Sequence, residues 1–214
     1  MKHINKRILV MNGSARKDGN TDAIVAAYVK GICETGVNAL EVRLRDLVIN
    51  ECVGCLRCRD EQKCSFQDDM TELRDMLLKS DIVVLASPVY WCEITGLLKT
   101  FIDRLYFYHH RVNSHLLSGK KAVIITTLAE QDAARECSII VEFYRRCMRS
   151  LSIEILDMLF YPDLGDTGAA GAKPAYLKAA RHAAVQLCRN ALDDRKGPGN
   201  SKISIREDEC RLCS

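Results

Sequence analysis

Residues 6–21 read KRILVMNGSARKDGNT, and this stretch decides the fold class. Lys6–Met11 is an apolar, β-branched run with the length of a strand. The residues after it are rich in Gly, Ser, Asn and Asp, a composition typical of a loop. Apolar side chains then recur every three or four positions over residues 24–32, which predicts an amphipathic helix beginning near Thr21. A strand, a loop and a helix in direct succession predict the start of a βαβ unit.

The alternation of strands and helices continues to residue 192. Further strands are predicted at Ala39–Leu47, Asp81–Ala86, Lys121–Thr127 and Ile153–Tyr161. Further helices are predicted at Met70–Lys79, Gly96–Tyr108, Ala133–Ser150 and Pro174–Leu192. Strands joined by helical crossovers form a parallel sheet. The pattern predicts an α/β fold, namely a flavodoxin-like, doubly wound five-stranded parallel sheet of order 2-1-3-4-5. Such a sheet binds its ligand at the carboxyl ends of the first and third strands.

Length and composition favour one globular domain and exclude several classes of protein. With 214 residues, of which 48% are hydrophobic, the chain is neither disordered nor collagenous. The net charge of +3 brings no basic stripe, so nucleic acid is not an expected partner. No apolar run is long enough to cross a membrane, and the N-terminus does not resemble a signal peptide. We therefore expect a cytoplasmic protein without a membrane partner.

We expect residues 1–192 to form the domain, with a long cysteine-rich loop at residues 48–69. Residues 193–214 are charged and contain KGPGNSK, and they include Cys210 and Cys213. This composition at a chain end predicts a flexible tail.

The first loop has the features of a phosphate site. It lies between a strand and a helix, where unpaired N–H groups and the positive end of the helix favour an anion. Ser14, Asn20 and Thr21 add neutral donors, and the guanidinium of Arg16 can bind two phosphate oxygens. Neither the Walker lysine pattern nor GxGxxG is present, which argues against ATP and against a Rossmann site. The alternative is a glycine-rich turn in which Thr21 only caps the helix.

A second segment, SPVYW at residues 87–91, follows the central apolar strand. Pro88 stiffens this turn and removes a donor. Tyr90 and Trp91 are large aromatic side chains, and Trp91 is the only tryptophan of the chain. Their position beside the first loop favours contact with a flat ligand. The alternative is that both rings pack on the surface of the domain.

Four of the eleven cysteines lie close together in the loop at residues 48–69. Cys52, Cys55 and Cys58 are separated by two residues each, and Cys64 follows after five. This is most of the spacing of a bacterial ferredoxin, although Ser65 stands where a proline is usual. An irregular loop of this length is uncommon unless it is functional or disordered. The spacing favours a 4Fe–4S cluster, with free thiols or zinc as the alternatives.

The order and spacing of three motifs resemble the NADPH-dependent FMN reductase family. These motifs are GSARKDGNT, SPVYW and the helix ending in FIDR at Phe101–Arg104. The cysteine stretch before Asp68 and Asp69 resembles the iron–sulfur flavoproteins within that family. The resemblance implies FMN as cofactor, NAD(P)H as possible electron donor, and a homodimer or homotetramer. It implies that Asp103 and Arg104 are structural.

The same resemblance assigns roles to individual residues. Four residues are implied to bind the FMN phosphate: Ser14, Arg16, Asn20 and Thr21. Five are implied to line the isoalloxazine: Pro88, Val89, Tyr90, Trp91 and Thr126. No residue is singled out as a catalytic acid or base.

These observations lead to three hypotheses about function. The first is an FMN-dependent oxidoreductase with a 4Fe–4S cluster, linked to NAD(P)H or to a ferredoxin-type or small-molecule electron donor or acceptor. The second is a cluster-free NAD(P)H-dependent reductase of flavin, quinones or aromatic compounds. The third is an FMN-binding electron carrier or redox sensor without enzymatic activity.

Overall fold

The computed structural model describes residues 7–109 and 113–192. Its five strands form one parallel sheet of order β2-β1-β3-β4-β5. The strands are β1 (Arg7–Asn12), β2 (Asn38–Arg43), β3 (Ile82–Pro88), β4 (Lys121–Thr127) and β5 (Glu154–Tyr161). The predicted fold and strand order are confirmed. The tail at residues 193–214, with Cys210 and Cys213, lies outside the described residues.

Helices connect the strands and cover both faces of the sheet. They are α1 (Asn20–Glu34), α2 (Arg57–Asp60), α3 (Met70–Lys79), α4 (Gly96–Arg104), α5 (Ala133–Glu136), α6 (Ser138–Ser150) and α7 (Pro174–Leu192). Two predicted helices differ in detail, because α4 ends in a 3-10 turn at Leu105–Tyr108 and the helix predicted over 133–150 is interrupted at Cys137. None of the helices described here is long and apolar enough to cross a bilayer.

Two apolar cores lie on opposite faces of the sheet. Side chains alternate along β1, so that Leu9 and Met11 contribute to one core and Ile8 and Val10 to the other. A strand covered on both faces is apolar throughout, which explains the continuous hydrophobic run at this position. The half-polar strand β2 lies at the edge of the sheet, as its alternating sequence predicts. It is shorter than the predicted strand, because the chain forms a 3-10 turn at Leu44–Asp46. The carboxyl ends of β1 and β3 are therefore adjacent and carry the loops of the candidate site.

Candidate functional site

The loop after β1 is held against the end of β3. The backbone N–H of Gly13 donates to the carbonyl of Ala86 over 2.8 Å. A Cβ at position 13 would lie 2.8 Å from Cβ of Leu98 and 3.1 Å from that carbonyl, so only glycine fits. Gly19 is the N-cap of α1 and has no side chain above the helix end. The N–H groups of the first turn of α1 are therefore open to an anion.

An ion pair that we did not anticipate from the sequence holds this loop from the side. Arg45 and Asp22, only 11% and 12% exposed, are paired at 2.9 Å. Arg45 also donates to the carbonyls of Ser14 and Arg16, and Asn12 donates to Asp22 over 2.7 Å. Burial raises the pKa of Asp22, but hydrogen bonds from Arg45 and Asn12 outweigh it and hold the pKa below its ordinary value.

Ser14 and Arg16 differ in their freedom to bind a ligand. Ser14 is buried, and its hydroxyl lies 3.3 Å from both the N–H and the carbonyl of residue 16. Arg16 is exposed, and no hydrogen bond or ion pair within the described ranges engages its guanidinium. Arg16 is therefore a charged side chain of this loop that can turn toward a phosphate, as is the exposed Lys17 beside it.

Asn20 and Thr21 are occupied by other parts of the protein. The amide nitrogen of Asn20 donates to the carbonyls of Leu164 and Asp166 over 2.9 and 2.7 Å, and its oxygen accepts from the N–H of Ala170. The hydroxyl of Thr21 lies 2.7 Å from that of Thr127. Thr21 is not the helix cap considered from the sequence, because α1 begins at Asn20. Through these contacts both side chains hold the loop in place.

The segment after β3 forms a tight turn that presents its aromatic rings. Tyr90 and Glu93 exchange two backbone hydrogen bonds of 2.8 and 3.2 Å. Trp91 and Cys92 have φ values of +50° and +68°, as in a type I′ turn. Residues other than glycine are strained in this conformation, and such strain concentrates at functional sites. Trp91 is 98% exposed, so its ring does not pack on the surface of its own domain.

The other residues assigned to the ring site are less exposed. Pro88 ends β3, and the N–H of Val89 donates to the carbonyl of Thr127 over 2.8 Å. Thr126 is fully buried, and its hydroxyl has no hydrogen-bond partner in the described part of the chain. A role for Thr126 in ligand binding remains a prediction.

The structure brings the four loop cysteines together at one pocket. Cys52, Cys55, Cys58 and Cys64 line it together with aromatic side chains and Arg104. Between residues 7 and 192, apart from the gap at 110–112, no three potential ligands are arranged to hold a single metal ion. A cubane differs from a single ion because it offers four separate iron corners, so its thiolates lie farther apart. The donor set fits an iron–sulfur cluster, since thiolates are its usual ligands.

Charge and hydrogen bonding act differently on the individual thiols. A hydrogen bond with Ser65, whose Oγ is 2.9 Å from Sγ, lowers the pKa of Cys55. Burial raises the pKa of Cys58, and the neighbouring thiols of Cys64 and Cys52 raise it further. Thiolates crowded in this way repel one another, and metal coordination relieves that repulsion.

A buried ion pair contacts both the beginning and the end of the cysteine loop. Arg104 and Asp68, 2% and 3% exposed, are paired at 2.7 Å. Arg104 also donates to the carbonyl of Asn50 over 2.7 Å and to Sγ of Cys64 over 3.3 Å. Burial would raise the pKa of Asp68, but hydrogen bonds from Arg104 and Asn50 lower it to about 2. Asp103 is instead paired with Lys99 on the exposed side of α4.

Helix α4 contacts both the loop after β1 and the cysteine pocket. At its N-terminus, the hydroxyl of Thr95 donates to the carbonyl of Gly13 over 2.6 Å and caps the helix by accepting from the N–H of Leu98. At its C-terminus, Arg104 contacts Cys64. The loop at residues 13–21, called the anion loop below, and the cysteine pocket are therefore joined by one continuous helix.

The sheet order and the loop open to an anion at its carboxyl edge define a protein of the flavodoxin-like fold. Residues 6–139 match the sequence family described as NADPH-dependent FMN reductase, and the chain belongs to that family. Several of the relatives with similar sequences are named iron–sulfur flavoproteins. One of these, from Archaeoglobus fulgidus, is 41% identical over 99 residues, which cover 46% of this chain and 45% of the relative.

A second relative and a solved structure are also similar to this chain. An iron–sulfur flavoprotein of Clostridioides difficile is 35% identical over 137 residues, 62% of this chain and 59% of the relative. The chain thus spans only about half the length of these relatives. In structure, it is similar to an NAD(P)H:quinone oxidoreductase from Methanothermobacter marburgensis, with a TM-score of 0.68 and 17% identity over 86% of this chain and 98% of the other. At that identity the likeness establishes the fold alone.

Proposed function

We propose that this protein is an FMN-dependent oxidoreductase with a 4Fe–4S cluster held by Cys52, Cys55, Cys58 and Cys64. The observation that carries the proposal is that these thiols line one pocket of the same domain that presents an anion loop at the switch point of its sheet. Membership of the FMN reductase family supports FMN and NAD(P)H. The names of the relatives support the cluster.

The flavin site would be formed by two loops at the carboxyl edge of the sheet. The guanidinium of Arg16 and the N–H groups at the start of α1 would bind the phosphate. The turn at Tyr90 and Trp91 would cover one side of the isoalloxazine and exclude water. When bound, FMN supplies hydride and electron transfer, which the protein's own side chains cannot perform.

The cysteine pocket would hold the cluster with thiolates on four corners. Arg104 would donate a charge-assisted hydrogen bond to the sulfur of Cys64, in the geometry that it already has. A cluster adds the capacity to pass electrons one at a time. The partners that fit this capacity are NAD(P)H or a ferredoxin-type donor and a small-molecule or ferredoxin-type acceptor. Action as a homodimer or homotetramer in the cytoplasm belongs to the same proposal.

The proposal is tested by purifying the protein without oxygen and measuring flavin, iron and acid-labile sulfide per chain, followed by steady-state oxidation of NAD(P)H. We expect about one FMN and four iron atoms per chain, together with turnover. Stoichiometric FMN and turnover without iron would instead identify a cluster-free reductase. Bound flavin that is reduced only by chemical reductants or a protein partner would identify an electron carrier.

Replacement of Arg16 by alanine is expected to weaken FMN binding by about ten- to a hundredfold, the effect of losing one charge-assisted hydrogen bond. Titration of the apoprotein with FMN measures the change. Lys30→Ala is the matched control, because it removes the same charge from an exposed position farther along α1. Equal affinities of the Arg16 variant and the wild type would remove this side chain from the site.

The fluorescence of Trp91 is expected to be strongly quenched when FMN is added to the apoprotein. The ring is almost completely exposed at a turn beside the anion loop, and no second tryptophan contributes to the signal. A titration followed by tryptophan emission gives the result directly. Full emission at saturating FMN would place Trp91 away from the isoalloxazine.

A further inference from the structure

The backbone of the anion loop is held by the side chain of Arg45, which lies outside the loop. Nη1 of Arg45 donates to the carbonyl of Ser14 over 3.2 Å and to that of Arg16 over 3.1 Å. The same guanidinium binds both carboxylate oxygens of Asp22, over 3.0 and 2.9 Å. Asp22 in turn accepts the backbone N–H of Asp18 over 2.9 Å. Arg45 and Asp22 thus engage three backbone groups of the loop.

These contacts determine where the remaining N–H groups of the loop point. In a trans peptide the carbonyl and the following N–H lie on opposite sides, and the described residues contain no cis peptide. With the carbonyls of Ser14 and Arg16 directed at Arg45, the N–H groups of Ala15 and Lys17 are directed away from it. The N–H groups of Ala15 and Lys17 are not consecutive, because the N–H of Arg16 between them donates to the hydroxyl of Ser14. Two backbone donors directed to the same side of a loop can form charge-assisted hydrogen bonds to one anion.

The charge of Arg45 has little direct effect on the binding of a phosphate. Its guanidinium is neutralised by Asp22 in a pair of which both members are largely buried. A phosphate on the far side of the loop therefore gains little direct attraction from it. The effect of Arg45 on an anion is transmitted through the orientation of the backbone.

We infer that Arg45 and Asp22 are positioning residues that create the preference of this site for a phosphorylated flavin over riboflavin. The inference rests on the proposed function, since it concerns the same FMN site. The sequence offers no sign of it, because Arg45 lies in the alternating segment ALEVRLRDL and has the pattern of an edge-strand residue.

The test is titration of apoprotein with FMN and, separately, with riboflavin, which lacks the phosphate. Arg45→Gln is expected to weaken FMN binding about tenfold or more, while riboflavin binding changes much less. Arg45→Lys should retain part of the preference, because a lysine can reach one carbonyl but cannot bind both carbonyls and Asp22 together. Arg43→Gln is the control, because it removes the same charge from an exposed position of the neighbouring strand.

Asp22→Asn separates geometry from charge. This variant leaves the positive charge of Arg45 unpaired, so a purely electrostatic role predicts tighter FMN binding. The positioning role predicts weaker binding, because the amide offers one oxygen where the carboxylate offers two. Tighter or unchanged FMN binding would overturn the inference, and so would an unaltered preference in Arg45→Gln. Wild-type protein that binds FMN and riboflavin equally would contradict the phosphate site itself. If Arg45→Gln does not fold, Arg45→Lys and Asp22→Asn decide the question.

Discussion

Cys55→Ser, made and purified without oxygen, is expected to lose most of its iron and sulfide and to retain FMN. Cys55 lines the pocket shared by the four thiols, and a serine oxygen is a poor replacement for a thiolate in a cluster. The proposed flavin site is built from residues 13–22 and 88–91, which are separate segments, so the two sites should be lost independently. Iron, sulfide and flavin are measured on the same sample.

Cys33→Ser is the matched control for this experiment. Cys33 is also an exposed cysteine, but it lies in α1 outside the pocket. We expect the control to carry the iron and sulfide of the wild type. One-electron transfer to an external acceptor should fall in Cys55→Ser more than hydride uptake by the flavin. The cluster assignment would be contradicted by anaerobically reconstituted wild type without stoichiometric iron.

Asp68→Asn is expected to destabilise the protein by about 3–5 kcal/mol, the typical cost of leaving one member of a buried ion pair without its partner. The substitution leaves the guanidinium of Arg104, which is 2% exposed, without its counter-charge. It also weakens the acceptor for the backbone N–H of Asn50 at the base of the cysteine loop. The free energy of unfolding by urea at neutral pH measures the effect.

Asp103→Asn provides the comparison at the neighbouring position. Asp103 is paired with Lys99 at an exposed site, where such pairs contribute at most about 1 kcal/mol. We therefore expect a small change in the free energy of unfolding. Similar losses in the two variants would mean that the buried pair has no special role in stability.

The buried pair of Arg104 and Asp68 gives the stability of the protein a pH dependence with a definite sign. Because the pKa of Asp68 is lowered to about 2 in the folded protein, its ionised form favours the folded state. This contribution, about 2 kcal/mol, is complete well above the ordinary carboxyl pKa and is lost as the pH falls toward about 2. The difference in stability between wild type and Asp68→Asn should shrink over that range. A constant difference from pH 7 to pH 3 would contradict the assignment.

The sequence predicts the sheet of this protein better than it predicts the detailed contacts of the site. The strands β1, β3 and β4 are apolar on both faces, and this alone indicates a parallel sheet covered by helices. The loop cysteines are found because their spacing is local. By contrast, the role of Arg45 depends on carbonyls some thirty residues earlier in the chain. No local pattern reveals such a contact.

Two residues of the anion loop illustrate why residue type alone is an incomplete guide. Asn20 and Thr21 are polar, and they stand where a phosphate donor is expected. In the structure, the side chain of Asn20 hydrogen-bonds to the loop after β5 and that of Thr21 to Thr127. Both partners are distant in sequence. A polar side chain forms hydrogen bonds with the groups that the fold places next to it, and these groups need not belong to a ligand.

The helix α4 has a consequence for how this protein can vary. It meets the anion loop at Thr95 and the cysteine pocket at Arg104, positions that are about 14 Å apart along a helix. Substitutions on its exposed side leave both ends in place. Insertion or deletion of one residue would turn Arg104 about 100° around the axis and remove it from Cys64 and Asp68. We therefore expect proteins that share both sites to keep the length of this helix, while the sequence of its exposed side is free to vary.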